Sequence, residues 1–272
     1  MENKYLTERE IHVCGLQRTG QHAIAVWVMG HFDKICFKNG MTSLNTPLPR
    51  SITPPFWYFD LNKDGFTWAE NNDRVLKKGQ DAIILGTEYN SGNIELNEDL
   101  NINRKMHAKE NDVDEFSKKQ HYILVLRSPW NQLASILSWK ERWYLKNKER
   151  FISGWIKSAK EFTGRTNLLP EPKVCINYDK WFSDVNYRKE LSNKLELDFT
   201  DRGLNVVMPI GWGNKGSSFD RMDYTNNAQD MKVLDRWKKY KNDNVQFTDV
   251  LKMNKELREL SEEIFGEFPE GI

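Results

Sequence analysis

Between Ile11 and Ile24 the chain reads Ile-His-Val-Cys-Gly-Leu-Gln-Arg-Thr-Gly-Gln-His-Ala-Ile: an apolar run, a glycine-bounded loop, then an amphipathic stretch. That order predicts a strand, an anion-binding loop and a helix. Gly15 and Gly20 permit a tight turn and a close approach of backbone to an anion. A helix opening at Gly20 turns free N–H groups and a partial positive charge toward it, so Gln17, Arg18, Thr19, Gly20, Gln21 and His22 are candidate anion ligands. The spacing Gly15-x4-Gly20 equals that of an NTPase phosphate loop. The next two residues do not match that loop. Gln21 and His22 stand where a lysine and a serine or threonine would hold the terminal phosphates and magnesium. The cation lies inside the loop instead, as Arg18. Such a loop suits a nucleotide whose chemistry needs no metal. The plain alternative is an ordinary strand-to-helix turn.

A second constellation runs from His121 to Ser135: a buried-type strand ending in Arg127, then Ser128-Pro129, with the proline suited to the first turn of a helix. An NTPase more often places an acid after such a strand to organise magnesium. Here the position is cationic, so the site gathers negative charge. The run Asp81–Gly86 is a further buried strand, with Thr87-Glu88-Tyr89 where it emerges. In open α/β sheets ligands collect outside the carboxyl ends of strands, which makes Glu88 a candidate base. Lys173–Asp179 is another strand, with Tyr178 at its carboxyl end, and Gly211–Phe219 is a glycine-rich loop with one lysine.

Together these residues resemble the sulfotransferases that use 3′-phosphoadenosine 5′-phosphosulfate. Arg18-Thr19-Gly20 matches the core of that family's 5′-phosphate signature, although Gln21 and His22 depart from its continuation. Arg127, Pro129 and Ser135 match the 3′-phosphate signature, with Arg and Ser eight residues apart. Tyr178-Asp179 is similar to the pair that places a tyrosine near adenine. Lys215-Gly216, with Ser217 beside them, is similar to the late loop that closes over the 3′-phosphate, with Asn214 replacing the usual arginine. The resemblance implies transfer of a sulfuryl group from the phosphosulfate to a hydroxyl or amine, in line and without metal. It gives Arg18 and the N–H groups of Thr19 to His22 the leaving group to stabilise. It gives Arg127, Ser135, Lys215 and Gly216 the 3′-phosphate. The base is Glu88, with His22 second; His107 and His121 rank behind them.

These positions require a three-layer α/β fold of phosphate-loop type, with a mostly parallel central sheet flanked by helices. The 272 residues show no linker or composition break, so a single domain over 1–272 is expected. Helical spacing is read at Ala23–Val28, at Pro129–Leu145 and Lys148–Phe162 as two helices, and at 226–240 and Lys255–Phe265. Short strands are read at Lys34–Phe37 and, as an aromatic pair, across Phe56–Trp68.

Forty Lys+Arg against 39 Asp+Glu leave no basic excess for nucleic acid or a membrane surface. Three cysteines, Cys14, Cys36 and Cys175, cannot all pair, which fits a reducing, cytoplasmic setting. The opening residues carry no apolar run of membrane length. Asp60, Asn62, Asp64 and Gly65 begin a calcium-loop pattern, but the twelfth position is Asn71, so a hairpin turn is the better reading. Two other functions fit the same loop: a P-loop kinase or other phosphotransferase, and a nucleotide-binding module without chemistry. The displaced cation generates the first prediction. Adenosine 3′,5′-bisphosphate should bind equally well with and without EDTA in a calorimetric titration; loss of binding in EDTA would refute a metal-free loop.

Overall fold

A computed structural model describes residues 4–38, 56–62, 65–71, 79–89, 108–109, 112–207, 228–240 and 245–272. At 56–62, 65–71, 88–89, 139–146, 230, 245–246 and 252–253 it describes the backbone alone. The strands are β1 (Tyr5–Leu16), β2 (Lys34–Lys38), β3 (Phe56–Asn62), β4 (Gly65–Asn71), β5 (Gln80–Tyr89), β6 (Glu115–Leu126) and β7 (Lys173–Asn177). The helices are α1 (Gln21–Met29), α2 (Pro129–Phe162), α3 (Tyr178–Ser183), α4 (Val185–Lys194), α5 (Val245–Met253) and α6 (Lys255–Phe265).

The strands form one sheet in the order β4-β3-β2-β5-β1-β6-β7. β2, β5, β1, β6 and β7 run parallel, and β3 and β4 extend the β2 edge as an antiparallel pair. Side-chain alternation gives the sheet two apolar faces. Ile11 and Val13 of β1, with Ile123 and Val125 of β6, pack under α1, α3 and α4 around Trp27 and Trp181. Cys14 and Leu16, with Leu124 and Leu126, face α2, α5 and α6 around Trp155 and Phe247. The result is the expected three-layer α/β arrangement with a mostly parallel sheet. Among the described residues no helix is long and apolar enough to cross a membrane.

Four local expectations change. The two helices read at 129–145 and 148–162 are one continuous α2. The polar stretch that interrupts the apolar stripe near Asn147 contains neither glycine nor proline, so nothing stops the backbone there. The segment 228–240 forms only two short 3₁₀ turns, Ala228–Asp230 and Arg236–Lys239. Val233 is anchored in one core and Trp237 in the other, so the segment crosses between layers and cannot wind as one helix. The strand read over Lys173–Asp179 ends at Asn177, and α3 and α4 start where Asn177 and Asp184 accept hydrogen bonds from the first-turn N–H groups of Lys180, Asn186 and Tyr187. Finally, β6 begins at Glu115, so His121 lies mid-strand and buried, where desolvation lowers its pKa.

The turn from α2 to β7 is fastened by Glu161, a carboxylate with 0% exposure. It accepts from Thr166 Oγ1 at 2.7 Å, Leu168 N at 2.8 Å, Leu169 N at 3.1 Å and Lys173 Nζ at 2.6 Å. Burial alone would raise its pKa, but these bonds outweigh burial and hold it below the ordinary value; the same pairing raises Lys173 against its own burial. Removing one partner strands the other, so Glu161→Ala should lower unfolding free energy by about 3–5 kcal/mol in urea titration. The carboxylate's contribution is full above its unfolded pKa of about 4.3 and fades as pH falls through the depressed folded value. The lysine's contribution is full below about 10.4 and fades as pH rises through its raised folded value. A wild-type–variant difference that stays flat from pH 7 down to 2 would contradict this pairing.

Candidate functional site

The carboxyl ends of β1 and β6 and the segment 228–240 meet at one cluster. β1 ends at Leu16, and the loop closes on it: Thr19 N and Oγ1 both donate to the Leu16 carbonyl, at 3.2 and 2.9 Å. Two loop residues adopt left-handed backbone, Arg18 at φ 67 and Gly20 at φ 93. Left-handed residues in such a turn gather N–H groups into an anion-holding concavity. A non-glycine residue there is uncommon; Arg18 shares it with Asp112 and Glu196. Gly20 caps α1 with no side-chain hydrogen bond, and the first turn holds no carboxylate. The helix's positive end is therefore left for an external acceptor.

Both glycines are required by close packing. A Cβ on Gly15 would lie 2.6 Å from Thr19 Oγ1 and 3.2 Å from the Val125 carbonyl. A Cβ on Gly20 would lie 2.2 Å from the Tyr178 ring. That ring, 4% exposed, is the floor of the loop. Burial raises the Tyr178 hydroxyl above its ordinary pKa, while Arg127, Arg236 and Arg18 pull it the other way, and Asp179 adds to the rise.

Arg127 follows β6 and is 3% exposed. Its guanidinium lies 5.1 Å from the Tyr178 ring centroid and donates to the Arg18 carbonyl at 3.3 Å and to the Val233 carbonyl. Among the described residues its Nε has no hydrogen-bond partner and no carboxylate forms an ion pair with it. The nearby carboxylate of Asp179 is committed elsewhere. It accepts from Ser128 N at 3.2 Å, Ser128 Oγ at 2.5 Å and Asn131 Nδ2 at 3.2 Å, fixing the start of α2. Trp155 Nε1 donates to the Arg127 carbonyl at 3.0 Å, tying this junction to the core.

Nearly two turns into α2, Ser135 Oγ accepts from Arg18 Nε at 3.0 Å and from Arg236 Nη1 at 3.4 Å. Gln132 Nε2 donates to the Gln17 carbonyl at 2.7 Å. Arg18, Arg127, Ser135 and Tyr178, read from distant parts of the sequence, thus stand together with Gly15, Gln17, Thr19 and Gly20. Arg236 joins them without having been singled out. The signal for it was its place beside Trp237, an anchor that the core holds in position. Two arginines on one serine, with Arg127 against the Arg18 carbonyl, can bind a multiply charged anion through charge-assisted, forked bonds.

Several polar atoms buried at this cluster lack partners: Gln21 Oε1 and Nε2, His22 Nε2 and Gln132 Oε1. Unmade buried hydrogen bonds are costly, and those gathered around this loop make it the candidate binding site. Glu88 is brought close by register, since β1 and β5 pair Gly15 with Glu88; its side chain lies outside the described atoms. Lys215, Gly216, Ser217 and His107 lie outside the described residues, as does Asp64 of the calcium-like turn. Among the described residues no group of three or more His, Cys, Asp or Glu could hold a metal.

The fold and cluster define an α/β protein with a glycine-bounded loop between the β1 strand and the α1 helix. No known family model matches the chain, and no curated protein matches it. Among solved structures it is similar to the sulfotransferase domain of the Synechococcus PCC 7002 olefin synthase, at 14% identity and a TM-score of 0.40. The match covers 69% of this chain and 60% of that one. A likeness at that level fixes neither activity nor substrate.

The Gly20 contact generates a prediction. Gly20→Ala must shift the Tyr178 ring and hold alanine at positive φ, so it should cost about 1–3 kcal/mol in chemical unfolding. It should also weaken anion binding, and unchanged stability and affinity would mean that Tyr178 does not set the loop.

Proposed function

We propose that this chain is a sulfotransferase that moves a sulfuryl group from 3′-phosphoadenosine 5′-phosphosulfate to a hydroxyl or amine. The observation that carries the reading is Arg127, a buried cation with no carboxylate in reach among the described residues, set beside a loop whose own cation reaches Ser135. A buried charge is costly unless paired, so such a group is kept for an anionic ligand. A donor with phosphates at both ends of its ribose answers the two clusters. The N–H groups from Gly20 to His22 face the 5′ end, since that of Thr19 is spent on the Leu16 carbonyl; Arg127, Ser135 and Arg236 face the 3′-phosphate. Lys215, Gly216 and Ser217 would complete the 3′ subsite, and Tyr178 supports the loop beneath the nucleotide.

In the transfer, the acceptor oxygen or nitrogen forms a bond to sulfur while the bridging S–O bond breaks, and its electron pair stays on the oxygen of the 5′-phosphate. Arg18 and the loop N–H groups meet that growing charge, a preorganised electrostatic role. The acceptor's proton passes to a base, for which Glu88 leads and His22 follows. Gln21 and His22, in place of the lysine and hydroxyl of an NTPase loop, favour this chemistry over magnesium-dependent phosphotransfer.

Two tests follow. The parent protein should bind adenosine 3′,5′-bisphosphate more tightly than adenosine 5′-monophosphate, and Arg127→Gln should erase most of that preference. Hydrogen bonds to a charged group are worth about 1.5–3 kcal/mol, so the expected loss is about 10–100-fold. Equal affinity of the parent for the two nucleotides would overturn the 3′-phosphate assignment. Glu88→Gln should keep bisphosphate affinity and lose turnover by about 10²–10⁴-fold, the usual contribution of a general base. Turnover that survives there but falls in His22→Asn, with nucleotide affinity intact, assigns the base to His22.

A further inference from the structure

Gln21 opens α1 at 4% exposure, and among the described residues neither end of its carboxamide has a hydrogen-bond partner. Its Oε1 lies 3.5 Å from the point that a Gly15 Cβ would occupy, so the side chain folds back over the end of β1, within the loop. The Nε2 end suits the cluster, because it can donate to an anion. The Oε1 end does not: it is an acceptor, and a sulfuryl or phosphoryl group ionised at neutral pH offers it no hydrogen. A single buried side chain with an unmade donor and an unmade acceptor calls for partners of both kinds.

We infer that Gln21 is a substrate-positioning residue that bridges the two reactants, donating from Nε2 to an oxygen of the group being transferred and accepting at Oε1 from the O–H or N–H of the incoming acceptor. This rests on the sulfuryl-transfer reading given above. The carboxamide takes no proton: the acceptor's hydrogen passes to the base, the new bond to sulfur forms, and the bridging oxygen leaves with the electron pair. Gln21 orients the nucleophile's lone pair toward sulfur by holding its hydrogen aside, which acts through geometry. The bisphosphate product, lacking both the transferred group and the acceptor, has little to gain from this side chain.

The experiment compares the parent with Gln21→Met, which keeps the length and apolar volume, and Gln21→Glu, which keeps the acceptor and removes the donor. Calorimetry with adenosine 3′,5′-bisphosphate is run beside release of that bisphosphate from the phosphosulfate, with water alone and with 2-aminoethanol as acceptor. No bisphosphate binding by the parent would remove the nucleotide reading itself. Given binding, Gln21→Met should hold bisphosphate affinity within about threefold and lose acceptor-dependent release by about tenfold or more, because an unpaired hydrogen-bonding partner costs about 1–3 kcal/mol. Gln21→Glu should also fall below the parent. Release no faster in the parent than in Gln21→Met overturns the inference, and so does a parallel loss of affinity and rate, which would make Gln21 a holder of the nucleotide.

Discussion

The rest of the site depends on burying the charge of Arg127. A guanidinium taken from water must be compensated, and this chain does so with two backbone carbonyls and the face of an aromatic ring. Each partner comes from a different segment: the Arg18 carbonyl from the loop, the Val233 carbonyl from the late turns, the Tyr178 ring from the start of α3. One side chain therefore fixes the mutual positions of three segments that are distant in sequence. Partial compensation by carbonyl dipoles keeps the cation attractive to an anion, where a carboxylate would have neutralised it.

The sheet makes that arrangement possible. Because β1 lies between β5 and β6, the loop following it is flanked by the carboxyl ends of two parallel strands, one leading to Arg127 and the other carrying Glu88. Apolar side chains cover both faces at these strands, so polar groups can be placed at their ends without unpicking the core. Asp179 serves the same end from outside the charge cluster: by holding Ser128 and Asn131 it fixes the first turn of α2, and with it the direction of Ser135.

Much of this was legible in the sequence, and the reasons are local. The parallel strands announce themselves as apolar runs, and Gly15 and Gly20 mark a turn because backbone geometry at those points excludes a side chain. Arg127 was legible because a charge ends an apolar run. Arg236 was not, since its role comes from the way Val233 and Trp237 seat one segment in two cores, a contact that no periodicity records. The unbroken course of α2 was obscured for the opposite reason: its stripe lapses while its backbone continues. Nothing in the sequence sets Glu161 apart, and only the returning chain at Thr166–Lys173 shows why it is buried.

The hydroxyl of Ser135 has two lone pairs and one hydrogen. Arg18 and Arg236 approach the oxygen as donors, which occupies its accepting capacity and leaves the hydrogen as its remaining bonding resource. An alcohol that elsewhere rotates to suit either kind of neighbour is here committed to giving. The protein has thereby settled the polarity of a freely turning rotor before any ligand arrives, and a group that itself needs to donate meets no reply from this side chain.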